Sequence, residues 1–112
     1  MLRVLSIGFA LLSATAATLH AAPQRAALDF STEPDETGGD VFAISVESRY
    51  GDPISIADAV ADLRAAGMTC TQDASPTCTK SVSANGCTYT FVATITGTPD
   101  RAVVRGATRM VC

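Results

Sequence analysis

The stretch CTYTFVATITGTPDRAVVRGATRMVC, residues 87–112, decides the fold because two alternating apolar and polar runs flank a single turn. The turn, TPDR, has proline at its second position, which favours a type I reversal that pairs Thr98 with Arg101. Continuing this pairing outward along both strands brings Cys87 opposite Cys112. The sequence therefore predicts a β-hairpin whose open end is closed by a disulfide bond, which contributes about 3 kcal/mol in the loop-entropy estimate.

Two shorter runs precede the hairpin and extend it into a larger sheet. MTCT and CTKSV, which begin at Met68 and Cys78, are followed by the turn-rich stretches QDASPT and SANG. We expect the four runs to form an antiparallel meander. Because the hairpin pairs two of the four cysteines, elimination leaves Cys70 to form a disulfide with Cys78.

The alternation within the hairpin assigns each residue to one of the two faces of the sheet. In the predicted register Ala93 lies opposite Gly106, and two small residues at this point let a helix approach the sheet closely. We expect an alanine-rich helix upstream of the sheet to occupy this place. The predicted core face of the first strand carries Cys87, Tyr89, Phe91, Ala93 and Ile95.

That helix is predicted by GDPISIADAVADLRAAG, residues 51–67, where apolar residues recur at helical spacing. Ser55 with Asp58 three residues later is typical of a capping box, and Gly67 favours the left-handed conformation that ends helices. Asp58 and Asp62 lie away from the apolar stripe, so we interpret them as solvated and expect Asp62→Ala to change stability little. The apolar stripe contains Ile56, Val60, Leu63 and Gly67.

A further alternating run, VFAISVE, covers Val41–Glu47. Phe42, Ile44 and Val46 are separated by small or polar residues, and this period of two predicts one more strand. The complete pattern predicts an α+β fold, with one amphipathic helix packed on a small antiparallel β-sheet and two disulfides.

The start of the chain, residues 1–21, is typical of a secretory signal peptide. A positive charge precedes an apolar stretch up to Leu19 that is too short to span a membrane comfortably, and cleavage is expected after Ala21. Residues 22–39 are acidic and have no apolar period, which indicates a flexible arm rather than a calcium-binding loop. Residues 40–112 form the predicted domain. We expect an exported protein, periplasmic or extracellular, with no membrane span after cleavage.

The sequence lacks residues that several kinds of catalytic and metal site require. His20 is the only histidine and leaves with the predicted signal peptide, which removes Ser-His-Asp and Cys-His mechanisms. The cysteine spacing has no close C-x-x-C pair, which argues against zinc. The pair Asp58 and Asp62 and the single Lys80 are the remaining catalytic candidates, and each is more typical of an exposed surface. We therefore expect a non-catalytic protein without cofactor or metal.

The strongest binding signal lies on the outward face of the hairpin. Arg101, Arg105 and Arg109 recur every four residues, so strand alternation places them on one side, with Thr94 opposite Arg105 and Thr90 opposite Arg109. Guanidinium groups bind carboxylate or phosphate in bidentate fashion, which predicts a binding or inhibitory module for an acidic envelope protein or an anionic polymer. A formal net charge of −3 and the absence of a basic cluster argue against nucleic acid. The alternative is a structural envelope protein without a discrete ligand, in which arginine deters edge aggregation.

Overall fold

The computed structural model describes residues 25–33 and 38–112. The predicted signal peptide, the only histidine and part of the predicted acidic arm lie outside the described residues. Within these residues, two helices and four strands follow one another: α1 Val41–Arg49, α2 Ile56–Ala65, β1 Thr69–Cys70, β2 Thr77–Ala84, β3 Cys87–Thr98 and β4 Arg101–Val111.

The strands form one antiparallel sheet in the order β1-β2-β3-β4, as the meander prediction required. The hairpin register is confirmed, since Thr98 pairs with Arg101 and the pairing continues without a shift to Thr88 and Val111. Both disulfides are also confirmed. Cys70 is bonded to Cys78 across β1 and β2. Cys87 is bonded to Cys112 at the open end of the hairpin.

Helix α2 begins and ends where its sequence signals predicted. The Ser55 hydroxyl accepts a hydrogen bond from the Asp58 amide at 3.0 Å, and Gly67 follows the helix with φ +95°. Its start is tied to the hairpin turn, because the Ile56 amide donates to the Pro99 carbonyl at 3.0 Å. Of the predicted apolar stripe, Leu63 is fully buried and Ile56 and Val60 pack partly buried against the core, whereas Gly67 is exposed. Ala59, which was not in the predicted stripe, is the second fully buried residue of the helix.

The prediction of a strand over Val41–Glu47 is wrong, because this segment is the first part of helix α1. The Asp40 carboxylate caps the helix by accepting from the Ala43 amide at 3.1 Å. Phe42 and Val46, one helical turn apart, are completely buried, whereas Ile44 is 54% exposed. An apolar residue at every second position contains pairs four residues apart, so the period-two pattern also fits a helix.

Helix α1 packs over Gly106, where the sequence predicted that the alanine-rich helix α2 would approach the sheet. A Cβ atom added to Gly106 would lie 2.7 Å from Val46 Cγ2 and 3.1 Å from Phe42 Cε2. No Cβ fits at such distances without movement, so glycine sets how closely α1 approaches β4. The two-helix layer therefore replaces the predicted single helix while the α+β class stands.

Part of the predicted flexible arm packs on the domain. The Phe30 ring lies 5.3 Å from the Phe42 ring and 5.2 Å from the Phe91 ring, measured between centroids. The Lys80 ammonium stands 4.2 Å above the centre of the same Phe30 ring. Leu28 also packs against the core. This segment is acidic in composition, yet the apolar side chains of Leu28 and Phe30 are partly buried against the core.

Candidate functional site

The three predicted arginines all lie exposed on β4. Strand alternation turns Arg101, Arg105 and Arg109 to one side, while Val104 on the other side is buried in the core. Helix α1 lies over Gly106, which shares the side of Val104. The arginines therefore occupy the side of the sheet opposite α1. We call this side the outer face.

The outer face continues from β4 across the neighbouring strands β3 and β2. Its described members on β2, β3 and β4 share one parity along the confirmed registers. They are Thr77, Thr79, Ser81, Ser83, Thr88, Thr90, Val92, Thr94, Thr96, Thr98, Arg101, Val103, Arg105, Ala107, Arg109 and Val111.

The two threonines named from the sequence lie beside the arginines as expected. Thr94 pairs with Arg105 and Thr90 pairs with Arg109 across the β3–β4 register. Thr90 also meets the next strand, because its hydroxyl oxygen lies 3.1 Å from the Ser81 hydroxyl oxygen. The hydroxyl residues of β2 were not among the predicted site residues. Their signal was the alternating Ser and Thr of the run CTKSVSA, which becomes informative only when its register with β3 is known.

Charge is segregated between the two sides of the sheet. The four strands contain no aspartate or glutamate, and three of their four basic residues are the outer-face arginines. The fourth, Lys80, points to the helix side, where its ammonium covers Phe30. Within the described part of the chain, no carboxylate lies within salt-bridge distance of any outer-face arginine. These guanidinium groups are therefore available to a partner.

Asp62, a candidate acid from the sequence, is bound within the helix layer. Arg49 donates to both of its oxygens, from Nε at 2.7 Å and from Nη2 at 2.8 Å, and the Tyr50 hydroxyl donates at 2.5 Å. The Arg49 hydrogen bonds hold the pKa of Asp62 below its usual range. Burial and the contact with the Asp62 carboxylate raise the pKa of Tyr50. The expectation that Asp62 is solvated is therefore wrong, because this carboxylate joins α2 to the end of α1.

Asp40 performs a similar structural task at the other end of α1. Its carboxylate caps the helix and also accepts from the Thr108 amide at 2.8 Å and the Thr108 hydroxyl at 2.9 Å. Burial opposes its ionisation, but the hydrogen bonds from Ala43 and Thr108 outweigh burial and lower the pKa of Asp40. One side chain thus fixes α1 against the edge strand β4.

Two open cavities lie elsewhere on the surface. One, of about 430 Å³, is bounded by Tyr89, Met110 and the start of α1. The other, of about 570 Å³, separates α2 from the loop closed by the Cys70–Cys78 disulfide. In residues 25–33 and 38–112 no three His, Cys, Asp or Glu side chains come together as a metal site would require. The same residues include no helix that is both long and apolar enough to cross a membrane.

No known family model matches the sequence, and no curated protein or solved structure is significantly similar to it. The function must therefore be argued from the chemistry of the surface and not from relatives.

Proposed function

We propose that this chain is a small exported binding module without catalytic activity, and that its outer face binds an anionic partner. The observation that supports the proposal is a row of three exposed arginines, with no carboxylate of residues 25–33 and 38–112 within salt-bridge distance, on a sheet without acidic residues. The chain as a whole is acidic, with a formal net charge of −3. Attraction of an anion must therefore come from this local row and not from net charge.

The row has the geometry of a polymer site. Successive arginines are four residues apart on one strand, so their Cα atoms are separated by about 13 Å along β4. One exposed ion pair contributes only about 0–1 kcal/mol, so useful affinity requires that all three arginines bind at once. A partner that carries several anionic groups along its length meets this requirement, whereas a small anion does not.

Export is the second part of the proposal. Two disulfides are present, and disulfides form and persist in oxidising compartments such as a periplasm or the extracellular space. They are compatible with the secretory signal that the sequence predicts at residues 1–21. The binding site therefore operates on envelope or extracellular material.

The test measures retention of the folded, oxidised protein on immobilised polygalacturonate and on immobilised poly-L-glutamate. We expect retention at low salt that weakens as salt is added, because exposed ion pairs are screened. The triple variant Arg101→Gln, Arg105→Gln, Arg109→Gln should not be retained on either polymer. Binding by this variant equal to that of the unmodified protein would overturn the proposal.

A matched control separates the outer face from total charge. Arg25 and Arg64 are exposed and lie outside the sheet, so Arg25→Gln with Arg64→Gln lowers positive charge without touching the row. This control should keep its retention. If the unmodified protein binds neither polymer at low salt, the proposal fails and the role of a structural envelope component without a discrete ligand takes its place.

A further inference from the structure

We propose that the partner is a linear anionic polysaccharide, a chain that carries both acid groups and many hydroxyls. This inference rests on the proposed function and adds the chemical class of the partner. It follows from what lies beside the arginine row. Thr88, Thr90, Thr94, Thr96 and Thr98 line the adjacent strand β3, and four Ser or Thr residues line β2 beyond it.

The strands place these hydroxyls within reach of one bound chain. Neighbouring strands are about 4.8 Å apart, so the β3 hydroxyls lie one strand spacing from the arginines and the β2 hydroxyls lie two. A polymer laid along β4 therefore meets guanidinium groups on one side and hydroxyls on the other. The Ser81 and Thr90 hydroxyls are 3.1 Å apart, which shows that the rows on β2 and β3 are in mutual contact.

Most of these hydroxyls have no partner in the described part of the chain. Besides the contact between Ser81 and Thr90, one outer-face hydroxyl makes a long bond, from Thr96 to the Val103 carbonyl at 3.5 Å. The hydroxyl of Thr94, next to Arg105, makes none. A hydroxyl both donates and accepts, which suits a partner whose own groups do the same. Sugar hydroxyls have this property, whereas carboxylate side chains of a peptide only accept.

Protein and nucleic-acid partners fit the outer face less well. Protein interfaces rely on buried aromatic and apolar anchors, and single-stranded nucleic acids stack on aromatic rings. The aromatic residues of the described chain are absent from the outer face: Phe30, Phe42, Tyr50, Tyr89 and Phe91 lie in or against the core on the helix side. Of the three outer-face valines, Val92 is only 8% exposed, leaving Val103 and Val111 as separate apolar points.

The sheet also presents these groups rigidly. The Cys87–Cys112 disulfide closes one end of the hairpin, and the Cys70–Cys78 disulfide joins β1 to β2. Because the strand backbones are held in register, no backbone ordering is needed when many weak hydrogen bonds form together. Many weak contacts along a stiff surface are what a long polysaccharide requires.

The experiment compares polygalacturonate, which has carboxylates and hydroxyls, with poly-L-glutamate of equal charge number, which has carboxylates alone. We expect about tenfold tighter binding to polygalacturonate, since several weak hydrogen bonds are added. The variant Thr90→Val, Thr94→Val, Thr96→Val keeps side-chain shape and strand preference but removes three of the five outer-face hydroxyls of β3, including the two whose residues pair with Arg105 and Arg109. It should lose the preference for polygalacturonate and still bind both polymers through the arginines.

A hydroxyl-retaining control is available at the same positions. The variant Thr90→Ser, Thr94→Ser, Thr96→Ser should keep the preference for polygalacturonate, with circular dichroism and size-exclusion chromatography used to show that both variants stay folded and unaggregated. Equal affinity for the two polymers, unchanged in the valine variant while the arginine variant loses binding, would overturn this inference and leave the proposed function standing. Failure of the unmodified protein to bind either polymer would overturn both.

Discussion

Gly106 is the position where one added methyl group would strike the side chains of α1 that pack on the sheet. A Cβ atom there would lie 2.7 Å from Val46 Cγ2 and 3.1 Å from both Val46 Cβ and Phe42 Cε2. Optimal carbon–carbon separations are about 3.5–4.0 Å, so Gly106→Ala makes α1 move away or forces its side chains off their preferred rotamers. Overpacking of this kind costs about 1–3 kcal/mol.

The predicted loss of stability in Gly106→Ala is opposite to the effect expected from strand propensity. Without a steric conflict, replacing glycine by alanine within a strand stabilises a protein by about 0.5–1 kcal/mol. The close approach of α1 predicts the opposite sign at Gly106. The melting temperature should fall by about 4–8 °C for each kcal/mol lost in a domain of this size.

Thermal and urea unfolding of the oxidised protein provide the measurement, and Gly51→Ala provides the control. A Cβ atom on Gly51 would meet nothing closer than 3.8 Å, so this variant should unfold within a few degrees of the unmodified protein. Val46→Ala removes the Cγ2 methyl group, which is the atom nearest to the Cβ that Gly106→Ala adds. The double variant should therefore be less destabilised than the sum of the two single changes, by about 0.5–3 kcal/mol.

A Gly106→Ala variant as stable as the unmodified protein, or more stable, would refute the reasoning. The same conclusion would follow if the two substitutions were simply additive, because residues in direct contact must be coupled.

Three further predictions concern the helix layer. Asp62→Asn should lower the free energy of unfolding at pH 7 by about 1–3 kcal/mol, because the charge-assisted hydrogen bonds weaken. The pKa of Asp62 in the folded protein lies below its ordinary value of 3.8. The difference in unfolding free energy between the two proteins should therefore be complete above about pH 5 and should shrink at lower pH, as the folded carboxyl is protonated. Urea unfolding at a series of pH values measures this difference. Asp40→Asn should keep the helix cap yet lose a bond to Thr108, seen as faster amide exchange at Thr108 than in the unmodified protein. Leu63→Asp should unfold the domain, as seen by circular dichroism, because Leu63 is fully buried. Val60→Asp should destabilise the domain less, because Val60 is half-buried. Equal melting temperatures for the two variants would contradict this difference in burial.

The hairpin and its disulfides were predictable because local rules determine them. Proline in the β3–β4 turn sets the pairing of Thr98 with Arg101, and the uniform step along two strands carries that register to Cys87 and Cys112. Helix α2 was predictable for the same reason, since its cap at Ser55 depends only on near neighbours.

Helix α1 and the arm were not predictable, because nonlocal contacts decide them. The run VFAISVE satisfies two periods, and the choice depends on the cap from Asp40 and on the fit of α1 over Gly106. Phe30 lies in an acidic segment whose composition resembles a linker, and only the adjacent Phe42 and Phe91 rings provide a place for it. The Asp62 carboxylate, similarly, was read as solvated because its cation comes from a different helix.

Some features of the candidate site were likewise predictable from the sequence, and others were not. Alternation along β4 by itself put Arg101, Arg105 and Arg109 on one side, and the turn register put Thr90 and Thr94 beside two of them. Only the tertiary structure decided that α1 covers the opposite side of the sheet and that β2 extends the hydroxyl rows. The physical reason is that the apolar residues of a strand indicate which face is buried, whereas the segment that covers this face is decided by nonlocal packing.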